Sequence, residues 1–544
     1  MSFLRFVSRL FPRKKKKTNM DKLDISQLRE LTRKEKLKPK LQDNLSLVRE
    51  YYGNSLGLQV RELQIGRVNV KAAVVFIEGM VDTASVEELI KVLLINTVSS
   101  GEIIPSGIPF LKYIKEKVIT STSLEEVKEL EELFDSVLMG DTALIIDGLD
   151  TSLTVDTKGW KTREIKESDA EITIRGPRES FIESIHDNLS LLRRRLPIPQ
   201  LWVEKFTVGS LSRTQVALVY IKGLAGEGLI REMRSRFEKA DTDGIIDSGQ
   251  LEDFLEDTPF SLFPLTLRTE RPDRVVAALL EGQVAVVVNG TPFVLLAPVT
   301  FFAQLQAPDD YFEKVPIGTF VRIIRFTAMI LAIFLPGFYV GIVNFHPEMV
   351  PTTLLLRIAS TREGVPFPLV VEMLLMESVF EILRESGIRL PASIGPAISI
   401  VGALVLGDAA IRAGIVSPPV VVVVALTAIA SFTVPNFALG IAGRMLRFGF
   451  IILCSVFGLF GLQFGLLLLI IHLCSIRSFG VPYMSPAAPF IMRDMKDHIL
   501  RIWHWGQVHR PKLLGFREPV RKDPRQARRF FKMFPHDEEG PDED

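Results

Sequence analysis

The sequence predicts a chain in two parts: a duplicated α/β or α+β soluble region, then an α-helical polytopic transmembrane domain. Three observations carry this. The mean hydropathy is positive, +0.25, and the apolar residues concentrate after Phe320. In that half, four uncharged stretches approach or exceed the ~20 residues that cross a bilayer. The first half holds matched blocks in a constant order, the mark of a repeated unit.

The expected organisation is a basic extension over 1–40, a first soluble unit over 41–165 and its repeat over 166–318. A membrane domain over 319–490 and a C-terminal tail over 491–544 follow. In the extension, Phe3, Leu4, Phe6, Val7, Leu10 and Phe11 recur at helical spacing, with the basic run Arg13–Lys17 behind them. Such a segment reads either as a cytoplasmic membrane-surface anchor or as a basic tail. Its uncharged runs are too short for a secretory h-region, so the soluble region is expected in the cytoplasm. The net charge of +1 argues against a nucleic-acid binder. Cys454 and Cys474 lie in apolar runs and read as core or lipid-facing residues.

The repeat shows in three blocks. Asp43–Arg49 reads DNLSLVR, and Asp187–Arg193 reads DNLSLLR 144 positions later. Phe76–Gly79 matches Tyr220–Gly223, and Gly140–Gly148 matches Gly282–Gly290. Each copy should open with a helix (41–52; 181–195), followed by a strand (72–77; 215–221) that ends at a glycine. A helical segment (86–94; 228–240) and a late strand (142–146; 284–288) come next. Asp147-Gly148 and Asn289-Gly290 then predict hairpin turns into returning strands over 149–158 and 291–298.

No nucleotide-binding, zinc-protease or C-x-x-C motif is present, so the sequence offers no residues for an enzyme and no cofactor or metal site. Asp241–Glu252 mimics a calcium loop, but Ile245 stands at its fifth position and the glycine at its fourth. It reads as a capped turn between helices. Arg193–Arg195 reads as a solvated helix end rather than a phosphate grip.

In the apolar half, the expected spans are 326–345, 390–411, 415–442 with a break at Pro435, and 448–476. The stretch 365–383 carries Glu372, Glu377 and Glu381, which makes it a poor lipid-facing span. It reads as a surface helix or one packed inside an assembly. From Arg493 to Arg529 there are eleven Lys/Arg against four Asp/Glu, so the positive-inside rule places the C-terminus in the cytoplasm. Arg444 and Arg447 fall on the wrong side of that topology.

Several blocks resemble the A subunit of bacterial spore germinant receptors, the GerA family. They are Arg175–Ser184, Asp187–Arg195, Glu270–Asp273, Arg384–Pro391 and Ser478–Tyr483, with Asp310-Tyr311 and Arg510-Pro511 in support. Ser180 and Ser168 depart from the family's usual Gly and Pro. The resemblance runs from about Asp43 to Pro511. It implies a multi-pass protein of the inner spore membrane, with both ends on the core side. It implies a transporter-like B subunit and a lipoprotein C subunit as partners. It also implies a homo-oligomeric, pentameric ion channel that opens on germinant binding. A paralogue acting in dipicolinic acid release, or a non-conducting scaffold, are the alternatives.

If the chain forms a channel, the small-residue stretch 390–412 is the candidate lining. Ser393, Ser399, Gly402, Leu406 and Asp408 are the candidate pore residues, with Asp408 ringing one mouth. The competing reading has the small residues packing helices and Asp408 pairing with Arg412. Glu372, Glu377 and Glu381 either face a wet vestibule or pair with Arg384 and Arg389.

Overall fold

The computed structural model describes residues 36–52, 57–65, 70–99, 124–159, 171, 173, 175–389, 407–514 and 520–521. The first unit comprises α1 (Leu41–Tyr52), β1 (Leu58–Ile65), β2 (Val70–Ile77), α2 (Thr83–Ser99), β3 (Leu124–Val127), α3 (Leu130–Leu138), β4 (Thr142–Ile146) and β5 (Ser152–Val155). The second comprises α4 (Ile185–Arg195), β6 (Leu201–Val208), β7 (Thr214–Ile221), α5 (Glu227–Lys239), α6 (Ser248–Leu255), β8 (Leu267–Thr269), α7 (Pro272–Leu280), β9 (Val284–Val288) and β10 (Val294–Ala297).

The two sheets have the same topology. Strand order is β1-β2-β4-β5-β3 in one and β6-β7-β9-β10-β8 in the other. Every recorded pairing is antiparallel, which selects α+β from the two classes predicted. Strand side chains alternate between faces, and each sheet is covered on both. Ala72, Val74 and Phe76 pack with α2, while Ala73, Val75 and Ile77 pack with α1 and α3. In the repeat, Ala217, Val219 and Ile221 face α4 and α7, while Val216, Leu218 and Tyr220 face α5 and α6. Burial on both faces is why these strands read as unbroken apolar runs.

The conserved spacing of the repeat has a physical basis. Asn44 and Asn188 are buried and occupy equivalent places. Asn44 accepts from Lys38 N and donates to Lys38 O, at 2.9 and 2.7 Å. Asn188 makes the same pair of bonds with Ile182. The hairpin turns then hold the opening helices: Leu41 N donates to Asp147 Oδ1, and Ile185 N to Asn289 Oδ1. Gly148 and Gly290 take φ values of 88° and 96° at those turns, which glycine adopts without strain. The second opening helix begins at Ile185 rather than at 181, because Ser184 caps it by accepting from Asp187 N.

After the short helices α8 (Phe301–Gln304) and α9 (Asp309–Phe312) comes a helical bundle. Its members are α10 (Val315–Phe345), α11 (Thr352–Arg362), α12 (Leu369–Arg389), α13 (Pro418–Ser431) and α14 (Phe437–Ser475). α10 leads away from the soluble units. α12 and α13 lead back: Leu369 and Val420 cluster with Val340, whereas Ala430 clusters with Ala328 and Ala332. By length and composition α10 is apolar and long enough to cross a membrane, and the 39-residue run of α14 is so when taken as a whole.

α14 is a helical hairpin rather than a straight rod. Gly458 adopts φ 60° and ψ −143° inside it. A Cβ on Gly465 would lie 2.6 Å from Phe450 Cε1, and one on Gly461 would strike Leu453 O. Residues 450 and 465 would stand ~22 Å apart along a straight helix. The outgoing arm follows α10 through Gly337, which touches Phe450, and Gly341, which touches Gly458. Small residues permit that close approach. The returning arm brings His472 to Ser261 of the second unit, 3.1 Å away. The expected single segment 448–476 is therefore parts of two antiparallel arms, split where only glycine tolerates the backbone. The expected segment 415–442 is likewise divided, between the 14-residue α13 and the start of α14. Asn436 ends the interruption by accepting from Leu439 N as the cap of α14.

Candidate functional site

α12 carries Glu372, Glu377 and Glu381, spaced so that they climb one side of the helix over ~14 Å. Three other parts of the bundle supply their partners. Glu372 accepts from the backbone N and Oγ of Ser417, the cap of α13, at 2.8 and 2.7 Å. Arg362 Nε of α11 lies 3.4 Å from its other oxygen. Glu377 accepts from Arg447 Nη1 of α14 at 2.6 Å and from Thr427 Oγ1 of α13 at 3.2 Å. Glu381 accepts from Arg444 Nη1 at 2.9 Å. One turn on, Arg384 donates to Ser431 Oγ and lies over the Phe432 ring.

The middle pair is the most enclosed. The Glu377 and Arg447 side chains are 0% and 1% exposed. Lone charges there would cost several kcal/mol each, so they persist only with pairing and further hydrogen bonds. The further bond is to the backbone of α10. Pro336 has no N–H, so the carbonyl four residues earlier, that of Ala332, lacks its helical donor. Arg447 Nε supplies one at 2.6 Å. One guanidinium thus closes a proline break in α10 and neutralises a carboxylate of α12.

The carboxylates take partners other than the Arg384 and Arg389 considered from the sequence. Arg389 instead pairs with Glu385. Arg444 and Arg447, misfits to the charge rule, are the partners, half-buried and buried respectively, and that misfit is the signal the sequence carries. Arg362 gave none. Asp408 lies in a helical turn over 407–412 and is paired with Arg412 at 2.8 Å, both exposed. Ser393, Ser399, Gly402 and Leu406 lie outside the described residues.

A second buried cluster joins the soluble units to α10. Asp310 accepts from Arg322 Nε at 3.1 Å and from Arg325 Nη1 and Nη2 at 2.9 and 3.1 Å. Arg322 Nη1 also donates to the Asp497 carbonyl at 2.7 Å, drawing the C-terminal segment onto the base of α10. Tyr311 Oη donates to Asp497 Oδ2 at 3.0 Å. A cavity of about 410 Å³ adjoins this cluster, and its Glu281 is paired with Arg521. In the former calcium-like segment, Asp247 caps α6 by accepting from Gly249 N, and Glu252 accepts from Arg268.

Comparison with known proteins gives a consistent set of relatives. The family described as Bacillus/Clostridium GerA spore germination protein matches residues 46–513. Spore germination protein KA of Bacillus subtilis (strain 168) is 43% identical over 487 residues, covering 89% of this chain and 89% of that protein. The uncharacterized membrane protein YfkQ of the same organism is 42% identical over 415 residues, covering 74% of this chain and 80% of that protein. Among solved structures, the N-terminal domain of the A subunit of the Bacillus megaterium spore germinant receptor GerK3 is 34% identical. It covers 49% of this chain and 98% of that chain, with a TM-score of 0.39.

Proposed function

The chain belongs to the GerA family of spore germination proteins, and on that premise we propose that it is the A subunit of a nutrient germinant receptor, forming an oligomeric ligand-gated ion channel in the inner spore membrane. Its partners are a transporter-like B subunit and a lipoprotein C subunit. Five copies form the ring, with the duplicated domain and the C-terminal tail on the core side.

The observation that carries the channel reading is the exposure of Asp408 and Arg412. Both lie between apolar stretches, yet their side chains are 54% and 79% exposed in the single chain. Charges at such a place need water or protein around them rather than lipid. A ring of copies supplies both, with Asp408 turned to a narrow bore. By contrast, Glu372 and Glu377 are closed off within one chain, and the half-buried Glu381 is paired with Arg444. They serve as struts of the bundle, and Pro336 beside them offers a hinge.

One observation favours the competing reading of a non-conducting scaffold: Asp408 already has Arg412 as an i, i+4 partner. Spores carrying Asp408→Asn separate the two readings. The channel reading predicts slowed or less selective release of monovalent cations after nutrient addition. Release identical to that of the parent strain removes Asp408 from the pore.

A further inference from the structure

A turn of the second soluble unit stands at the foot of the apolar bundle with its largest side chain uncovered. Ser261 N donates to Thr258 O at 3.0 Å, closing a turn with Pro259 and Phe260 at its corners. Proline at that first corner presets the backbone of the turn. Phe260 is 100% exposed, and Leu262 beside it 43%. The turn has a fixed place. Ser261 Oγ bonds His472 of the returning arm of α14, and Phe263 is buried against Tyr483 and the His472 ring. The residues just before His472 are outward-facing and apolar: Leu467, Leu468, Ile470 and Ile471 are all exposed. Just after α14 comes Arg477, also exposed. The order along this edge is therefore an apolar band, then the Phe260 turn level with its last helical turn, then a cation.

We propose that this turn is a membrane-interface anchor, with Phe260 and Leu262 inserted among the outermost acyl chains and Arg477 at headgroup level. The inference rests on the membrane reading above. The occupant is lipid because the exposed pair stands beside the end of the apolar band of α14, where Ser261 bonds the residue that follows Ile471. Phenylalanine and leucine are among the side chains that interfacial elements bury at the boundary of headgroups and acyl chains. The anchor fixes the second unit against the bilayer, so the soluble region meets the membrane at a set height and orientation.

The test uses spin labels on the full chain in vesicles of phosphatidylethanolamine and phosphatidylglycerol. The background carries Cys454→Ala and Cys474→Ser, and labels are placed through Phe260→Cys, Ile471→Cys or Leu211→Cys. Leu211 is exposed at the far end of the β6–β7 hairpin. Collision with oxygen reports lipid, and collision with a water-soluble nickel chelate reports water. The expected result is oxygen favoured over nickel several-fold at 260 and 471, and the reverse at 211. A label at 260 that behaves like 211, or that neither probe reaches, overturns the anchor. A label at 471 that behaves like 211 overturns the membrane reading itself. If the cysteine-free background does not fold, Phe260→Trp in the native chain gives the same readout. Brominated lipid should then quench the added fluorescence, and unquenched fluorescence overturns the proposal.

Discussion

Arg447 donates its Nε to the Ala332 carbonyl that Pro336 leaves without a helical partner. Its Nη1 is 2.6 Å from Glu377. A backbone defect in one helix and a buried acid on another therefore depend on one side chain.

Arg447→Met should destabilise the bundle by about 3–5 kcal/mol, because Glu377 stays buried without its counter-charge. Glu377→Gln in the same chain should recover a large share of that loss. Thermal unfolding in detergent, followed by modification of the buried Cys454 thiol, measures both. A double variant as unstable as the sum of the two singles would show that the residues are not coupled.

Pro336→Ala returns an N–H to α10 and offers Ala332 a second donor. Removing an interior proline should leave stability equal or higher, by up to about 3 kcal/mol. If Pro336 is the hinge of opening, the same change should slow nutrient-triggered germination. The rate of optical-density loss after nutrient addition checks this. A stabilised protein with an unaltered rate would locate the hinge elsewhere.

Asn44→Ala and Asn188→Ala should each cost about 1–3 kcal/mol, since each removes two hydrogen bonds that a buried amide makes to the backbone of Lys38 or Ile182. Equal losses in the two units, read from thermal unfolding of the full chain, would match their equivalent bonds. A change below about 0.5 kcal/mol at either site would mean that water replaces the amide there.

These asparagines also explain what was legible. The DNLSL blocks are visible because Asn44 and Asn188 perform one task in two places, and the Asp-Gly and Asn-Gly turns repeat for a similar reason. The first strands, β1 and β6, were not foreseen. They lie at the sheet edges and mix charged residues with apolar ones, as in Leu58–Ile65, LQVRELQI. The hairpin in α14 escaped because composition alone cannot tell a long helix from two arms. Gly458 is one of many glycines, and its positive φ is set by tertiary contact with Phe345 and α10. The carboxylates were legible as anomalies, but their partners were not. Arg362, Arg444 and Arg447 are near them only in space.

Glu256 gives a pH dependence. Burial lifts its carboxyl from the ordinary 4.5 to about 7. A carboxyl with a higher pKa folded than unfolded stabilises the fold in its protonated form. That contribution is complete below about 4.5 and is lost as pH rises through 7. Glu256→Gln keeps an acceptor for Leu265 N without the charge. The variant should therefore gain about 1–3 kcal/mol on the parent at pH 8 and little at pH 4.5. Melting temperatures at the two pH values test this, and a gain independent of pH would contradict it.

A conducting ring built from copies of this chain can be tested outside the spore. The direct measurement is to purify the chain, determine its mass in detergent and record current across a planar bilayer. A closed oligomer that passes monovalent cations is expected, with selectivity reduced by Asp408→Asn. A monomer that passes no current, alone or with its receptor partners, would contradict it.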